Sequence, residues 1–414
     1  MIKRIQADYI KKMANSYPVV TVTGPRQSGK TTLVKALFPN HRYCNLEAED
    51  TLLVAKSDPR SFLANGDENM VIDEVQRFPG LLTYIQEMAD RNRRKGQFIL
   101  TGSHQPELNA AVSESLAGRT AICELLPLSI EELRAASFPV ERRDELMWTG
   151  FMPRHYDDGL DPTALYRDYF ATYIQRDVRR LVNIQDLDTF LVFVRLLAGR
   201  VGQLLNRESL ARDVGVSVPT VTRWLNVLEA SYIIYRLRPY YNNFGKRQTK
   251  APKIYFTETG LVAYLLGIRD PSQLALHPMI GQVFENMVVM EALKFHLNRG
   301  MEPDLWFYRN SSGSVEVDLL IEQGGLLHPR EIKSSATYAA EMGRHLREFG
   351  GLASDVAAPP MIVYAGSSHA GLAANYADVS VWCPNFARSA PIRVLKVDAP
   401  CVLPNHTLGL RKPY

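Results

Sequence analysis

Residues Gly24-Pro25-Arg26-Gln27-Ser28-Gly29-Lys30-Thr31 spell a complete phosphate-binding loop, and their flanks restrict the fold more than any other stretch of the chain. The apolar run Val19-Val20-Thr21-Val22 before the loop reads as a buried strand, and Thr32-Leu33-Val34-Lys35-Ala36-Leu37 after it reads as a helix. A glycine-rich turn between a buried strand and a helix belongs to parallel α/β sheets, which bind ligands at the carboxyl edge of their strands. The glycines let successive N–H groups turn inward, making a nest for anionic oxygens at a helix N-terminus. Lys30 is expected to reach the β- and γ-phosphates and Thr31 to ligate Mg²⁺, with Thr32 completing the binding set. The pattern implies a bound nucleoside triphosphate.

Three later stretches supply what such a loop needs. Asn69-Met70-Val71-Ile72-Asp73-Glu74 is a second apolar strand ending in two acids. Asp73 is expected to hold the Mg²⁺ shell and Glu74 to polarise the attacking water, because a carboxylate can accept its proton. A third strand, Gln97 to Thr101, delivers Gly102-Ser103-His104 to the same edge. Ser103 there senses the γ-phosphate or aligns the water, whereas His104 reads as an ordinary loop histidine. An amphipathic helix then ends in Leu116-Ala117-Gly118-Arg119 before the strand Thr120 to Leu126. Arg119 is placed to act as a finger on a neighbouring subunit's nucleotide, an effect worth roughly 10³–10⁵ in rate.

The 414 residues exceed one hydrophobic core and suggest two to four domains. No apolar run is long enough for a membrane span, and the N-terminus lacks a signal-peptide layout; Met1 to Ser16 reads as a polar helix. Cys44, Cys123, Cys383 and Cys401 are scattered without a C-x-x-C pair, which suggests neither zinc nor disulfides and fits a reduced cytoplasmic setting. A net charge of +4 is too small to announce nucleic acid, so any such partner must show in local clusters.

The run GPRQSGKTTL, the strand ending VIDEVQ, the strand FILTGS, and ESLAGR followed by LPLSIEEL resemble the bacterial and archaeal AAA-type ATPases that carry a C-terminal domain of unknown function. The resemblance extends from residue 1 to about 385. It implies an AAA+-like P-loop parallel sheet over residues 1–128, a helical lid with connecting helices over 129–195, and a homo-oligomer, ring-shaped or similar. It also implies ATP as the nucleotide, and no guanine-specific N-K-x-D motif is present. Gly150-Phe151-Met152-Pro153-Arg154 resembles the G-x-P element in lids of related signal-transduction ATPases, which would make Arg154 a sensor of nucleotide bound to its own chain.

Residues 196–268 read as a winged helix. Asn206 to Gly215 forms the first helix, with Gly215 ending it; Ser217 caps the second, Pro219 suits its first turn, and Thr220 to Leu228 is the recognition helix. Strands Ile233 to Pro239 and Lys253 to Thr257 make the wing. From Arg236 to Lys253 the chain carries Arg236, Arg238, Lys246, Arg247, Lys250 and Lys253 without an acid, interleaved with Tyr240, Tyr241 and Phe244. Such a wing can neutralise phosphates and stack on bases, while Thr220, Thr222 and Arg223 would face a groove of DNA.

Residues 276–385 read as a PD-(D/E)xK nuclease-like α/β domain. A helix from Gly281 to Leu297 carries Glu285, and strands follow at Leu305 to Tyr308, Val315 to Ile321 and Pro329 to Lys333. Asp318 lies on one strand, and Glu331 and Lys333 on the next, two apart and so on one face. Glu285, Asp318 and Glu331 could hold Mg²⁺ against a phosphate while Lys333 orients water, with Glu331 and Lys333 the catalytic pair. Helix Met342 to Phe349 and strands Pro360 to Tyr364 and Val379 to Trp382 complete the unit. The tail, 386–414, holds one short strand, Val394 to Val397, and departs from the family pattern. The expected activity is Mg²⁺-dependent ATP hydrolysis coupled to DNA binding or remodelling, with or without metal-dependent cleavage. The competing expectation is an ATP-gated switch or scaffold acting on a protein, its nuclease-like domain inert.

Overall fold

A computed structural model describes residues 1–64, 69–103, 114–173, 186–241, 251–365 and 393–396. Five parallel strands, β1 (Val19–Gly24), β2 (Arg42–Asn45), β3 (Met70–Asp73), β4 (Phe98–Ser103) and β5 (Thr120–Glu124), form the first sheet in the order β2-β3-β4-β1-β5. β1, β3 and β4 are buried at every residue because both faces of the sheet are covered. Val19, Ile72, Phe98 and Leu100 pack with Leu52, Phe62, Leu81 and Ile85 on one face. Val20, Val22, Val71 and Ile99 pack with Ile10, Leu33 and Val34 on the other. Parallel pairing brings the carboxyl ends of β1, β3 and β4, hence Gly24, Asp73 and Ser103, to one edge. β2 was not among the expected strands: its sequence RYCN is mostly half-buried and carries no apolar run.

The polypeptide turns abruptly where β1 meets the loop. Gly24 has φ +148°, and a Cβ built there would lie 2.1 Å from the Leu125 carbonyl oxygen. That oxygen belongs to backbone held by the Leu125 N–H donating to Thr23, so it cannot step aside.

Residues beyond β5 form short helices, Ile130–Ala135, Arg143–Thr149, Pro153–Asp158 and Pro162–Tyr169, then the longer Leu187–Ala198. Gly150 and Gly159 adopt positive φ at two helix ends, and Pro153 and Pro162 start new ones. The helix pair Arg207–Val214 and Val218–Ala230 forms as its caps require: Gly215 sits at φ +80°, and the Ser217 side chain accepts from the Thr220 N–H.

Strands β6 (Ile234–Pro239) and β7 (Lys253–Phe256) pair antiparallel. Together with β8 (Leu305–Arg309), β9 (Glu316–Gln323), β10 (Leu326–Lys333), β11 (Met361–Tyr364) and β12 (Arg393–Lys396) they make a mixed sheet ordered β12-β11-β10-β9-β8-β6-β7. β6 pairs in parallel with β8 at Arg238–Trp306 and Pro239–Phe307. The hairpin is therefore the edge of the C-terminal sheet, and no break in the sheet or in the core falls between residues 268 and 276. One hydrophobic core runs from Ile2 and Leu126 through Phe190, Trp224 and Phe284 to Val363. The tail strand pairs with β11; the strand expected at Val379 to Trp382 lies outside the described residues.

The two sheets are joined through buried charge. Arg4 donates to the Ser28 and Leu126 carbonyls and to Glu132. On helix Ile280–Asn298, Glu291 accepts from the Ile130 N–H, and Lys294 pairs with Glu291 while donating to the Leu128 carbonyl. Gly24→Ala should lower stability by about 3 kcal/mol, through positive φ and the clash together. Gly118→Ala, also at positive φ (+72°) but with open space around it, should cost only about 1 kcal/mol. Thermal melts of the two variants check this; equal losses would remove the role assigned to the Leu125 contact.

Candidate nucleotide site and a second carboxylate cluster

The loop Pro25 to Gly29 curls over the start of helix Lys30–Leu37, with Gln27 at φ 64° and Gly29 at φ 89°. Lys30 is buried; its Nζ donates to the Gly24 carbonyl at 3.0 Å and the Pro25 carbonyl at 2.6 Å. Burial pushes the Lys30 ammonium down to about 8, while Glu74 and Asp73 pull it back up. The Ser28 hydroxyl donates to the Pro25 carbonyl, and Arg4 clamps the Ser28 carbonyl at 2.7 Å, so the loop is held from within and from the N-terminal segment.

Asp73 gathers three hydroxyls. Thr31 Oγ1 donates to its Oδ2 at 2.9 Å, Tyr43 donates to the same oxygen at 2.7 Å, and Thr101 donates to Oδ1. Thr31 and Asp73 thus present adjacent hard oxygens beside the loop, the donor set that Mg²⁺ favours when phosphates complete its shell. Among the described residues no group of three or more His, Cys, Asp or Glu side chains is arranged to hold a metal by itself.

Glu74, in a left-handed conformation at φ 56°, is turned from the strand direction. Burial raises its carboxyl, partly offset by Lys30 and Arg26. Gln76 donates to Glu74 and, at 2.9 Å, to the buried Ser103 hydroxyl, so the acid and the serine meet through one amide. A cleft of about 430 Å³ opens over the loop, lined by Lys30, Thr31, Thr32 and Glu74 and, from other elements, by Leu128 and Tyr173. Arg26 places its guanidinium 5.8 Å from the Tyr173 ring centre. Arg154, expected from the G-x-P element, also lines this cleft and pairs with Asp158 at 3.2 Å.

Sequence reasoning gave no role to Arg4, Tyr43, Thr101, Leu128 or Tyr173; Thr101 and Leu128 fall inside the runs FILTGS and LPLSIEEL, yet only the fold brings all five to the site. Arg119 is not at the site. It precedes β5, at the amino edge of the sheet, and its guanidinium makes a two-pronged pair with Asp90 at 2.6 and 2.9 Å. His104 lies outside the described residues.

The second constellation does converge. Glu331 Oε1 accepts from Lys333 at 2.5 Å, Asp318 Oδ2 lies 3.7 Å from Lys333, and Asp318 also accepts from the Ile332 N–H. Glu285 joins them from its helix through a residue that the sequence had assigned elsewhere. Lys253, grouped above with the basic wing, is 3% exposed, and its Nζ lies 3.0 Å from Glu285, 2.7 Å from Glu316 and 3.5 Å from Asp318. As a phosphate contact it must be withdrawn: three carboxylates, from one helix and β9, enclose it. Tyr255 donates to Glu285 at 2.6 Å. Burial raises the Glu331 carboxyl to about 8, with Asp318 adding to the shift and Lys333 opposing it.

The DNA-facing set is dispersed. Arg223 and Arg238 are exposed, whereas Arg236 is half-buried and paired with Glu229. The Thr220 hydroxyl shares a hydrogen bond with Ser217, and Thr222 donates back to the Val218 carbonyl. Lys246, Arg247 and Lys250 lie outside the described residues.

A parallel sheet with strand order β2-β3-β4-β1-β5, a phosphate-binding loop after β1 and an acid pair after β3 defines a P-loop nucleotide-binding protein, and residues 16–134 match the model of an AAA domain. Residues 140–272 and 280–382 match two domains of unknown function, DUF8612 and DUF4143. The uncharacterized proteins Mb2031c of Mycobacterium bovis and Rv2008c of Mycobacterium tuberculosis are each 31% identical over 338 residues, 81% of this chain and 74% of theirs. The chain belongs to the same family as these mycobacterial proteins. Among solved structures, the Walker-type ATPase PABY2304 of Pyrococcus abyssi is 15% identical over 63% of this chain and 94% of its own, with a TM-score of 0.42. RuvB of Thermotoga maritima is 18% identical over 56% and 86%, with a TM-score of 0.29. Among the described residues no helix is long and apolar enough to cross a membrane.

A triphosphate beside Lys30 favours its charged form, so binding takes up a proton whenever the free ammonium has lost one. Affinity should stay level below about pH 8 and fall by up to about tenfold per pH unit above it. Calorimetry of a non-hydrolysable ATP analogue at about pH 7 and about pH 9, in buffers of different ionisation heat, checks the proton uptake. Affinity unchanged across that range would show that Lys30 does not titrate there.

Proposed function

We propose that the chain is a Mg²⁺-dependent ATP hydrolase. The observation that carries this reading is the meeting of Lys30, Thr31, Asp73 and Glu74 around one cleft under a phosphate-binding loop. Thr31 and Asp73 would hold Mg²⁺, which when bound offsets charge on the phosphate oxygens. Lys30 releases the Gly24 and Pro25 carbonyls and turns to the β- and γ-phosphates, while the loop N–H groups receive the remaining oxygens. Glu74 takes the proton of the attacking water, and its raised carboxyl suits a base working near neutral pH. Ser103, tied to Glu74 through Gln76, aligns that water. Arg154 senses the nucleotide from the cleft wall. Arg119, at the opposite edge of its own sheet, acts on the nucleotide of a neighbouring copy in a homo-oligomer.

The output we propose is binding or remodelling of DNA, carried by exposed Arg223 and Arg238 with the basic stretch at Lys246, Arg247 and Lys250. A second reading, an ATP-gated switch acting on a protein, is favoured by Arg236 being held by Glu229 and Lys253 being buried, which leaves fewer cations for phosphate. ATP turnover measured with and without duplex or branched DNA separates the two: stimulation supports the first, indifference to every DNA tested supports the second.

Glu74→Gln should keep nucleotide binding while hydrolysis drops roughly 10²–10⁴-fold. Filter binding paired with phosphate release reads both quantities. Turnover at the wild-type rate would mean that another group serves as the base.

A further inference from the structure

The carboxylate cluster of the C-terminal sheet has the donors for a divalent ion, yet its centre is taken. Lys253 Nζ sits 2.7 to 3.5 Å from oxygens of Glu285, Glu316 and Asp318, which belong to a helix and to β9. Lys333 lies 2.5 Å from Glu331 and 3.7 Å from Asp318, and Arg309 lies 3.1 Å from Glu316. Four carboxylates therefore already face three cations. An ion bound between Glu285 and Asp318 would need oxygens at roughly 2.0–2.6 Å and would share that space with the ammonium. Two like charges so close repel strongly in a site shielded from water. Lys253 cannot easily leave: its backbone pairs with Leu237 in the hairpin and bridges to Leu204, and the Phe307 ring lies 5.6 Å from its ammonium.

We propose that Lys253 is the resident cation of this cluster, standing where a divalent metal would bind, so that the cluster locks the β6–β7 hairpin to the C-terminal sheet and is closed to metal. The inference does not rest on the nucleotide reading. It removes metal-dependent cleavage from the activities expected of this domain and assigns the four predicted residues to a joint between elements.

The test is Mn²⁺ binding followed by electron paramagnetic resonance on the full, nucleotide-free chain. Only binding that responds to Asp318→Asn is counted, which sets aside any ion at the phosphate-binding loop. Wild type and Asp318→Asn should bind Mn²⁺ alike. Lys253→Ala should bind it roughly tenfold or more tightly than wild type, and the added Asp318→Asn change should abolish the gain. Wild-type binding weakened about tenfold by Asp318→Asn would overturn the proposal. So would a folded Lys253→Ala chain that gains nothing. Circular dichroism checks folding, and Lys253→Met, which keeps the aliphatic stem, replaces the alanine variant should that one not fold. The comparison of wild type with Asp318→Asn decides the matter even without either lysine variant.

Discussion

A single buried carboxylate organises the nucleotide half of the molecule. Asp73 ends β3, and its oxygens accept hydroxyls from β2 (Tyr43), β4 (Thr101) and the helix that begins at the phosphate-binding loop (Thr31). A carboxylate removed from water costs several kcal/mol unless hydrogen bonds replace its hydration, and three donors do so here. The arrangement fixes how far the loop helix stands from the sheet edge. It also holds Thr31 Oγ1 beside a charged oxygen, the spacing that a hard cation requires. Were the donors absent, β3 could still pair with its neighbours, but nothing would bind its end to the loop.

From that edge, mechanical links lead to the rest of the chain. Thr23, immediately before Gly24, shares a hydrogen bond with the Tyr232 hydroxyl at 3.0 Å, and Tyr232 lies in the turn between helix Val218–Ala230 and β6. Arg4 joins the loop carbonyl of Ser28 to Glu132, whose helix start is capped in part by Glu291 of the long C-terminal helix. Both routes begin within the loop or one residue from it. Two chains of oriented polar groups thus connect the loop to elements packed with the C-terminal sheet, rather than apolar contact alone.

The phosphate-binding loop, the acid pair and the buried strands β1 and β4 were legible because each obeys a local rule: a short apolar run, a glycine where the chain must turn, acids where a strand ends. The same holds for the caps at Ser217 and Gly215. β2 was not legible, since a half-buried RYCN offers no apolar run. In the nucleotide site the motif residues were found and their supports were not. Tyr43, Thr101 and Arg4 are unremarkable in sequence, and only strand order makes them neighbours of Asp73 or Ser28.

Lys253 shows why composition misleads at a domain edge. A lysine in an acid-free run reads as a phosphate contact because sequence displays its neighbours along the chain, whereas its charge is answered by residues 32 to 65 positions away on other elements. Burying an ion-pair knot is weak evidence for stability, because desolvation offsets most of the attraction and a well-packed apolar set of equal volume can do as well. What such a knot supplies is geometry. An apolar contact tolerates a shifted strand, but an ammonium facing three carboxylates is satisfied in one register only, and a slip of β7 by one residue would expel Lys253 and leave those acids without a counter-charge. The hairpin that extends the C-terminal sheet is thereby held in the register that also seats Tyr255 against Glu285, which makes the cluster intelligible without chemistry at a metal.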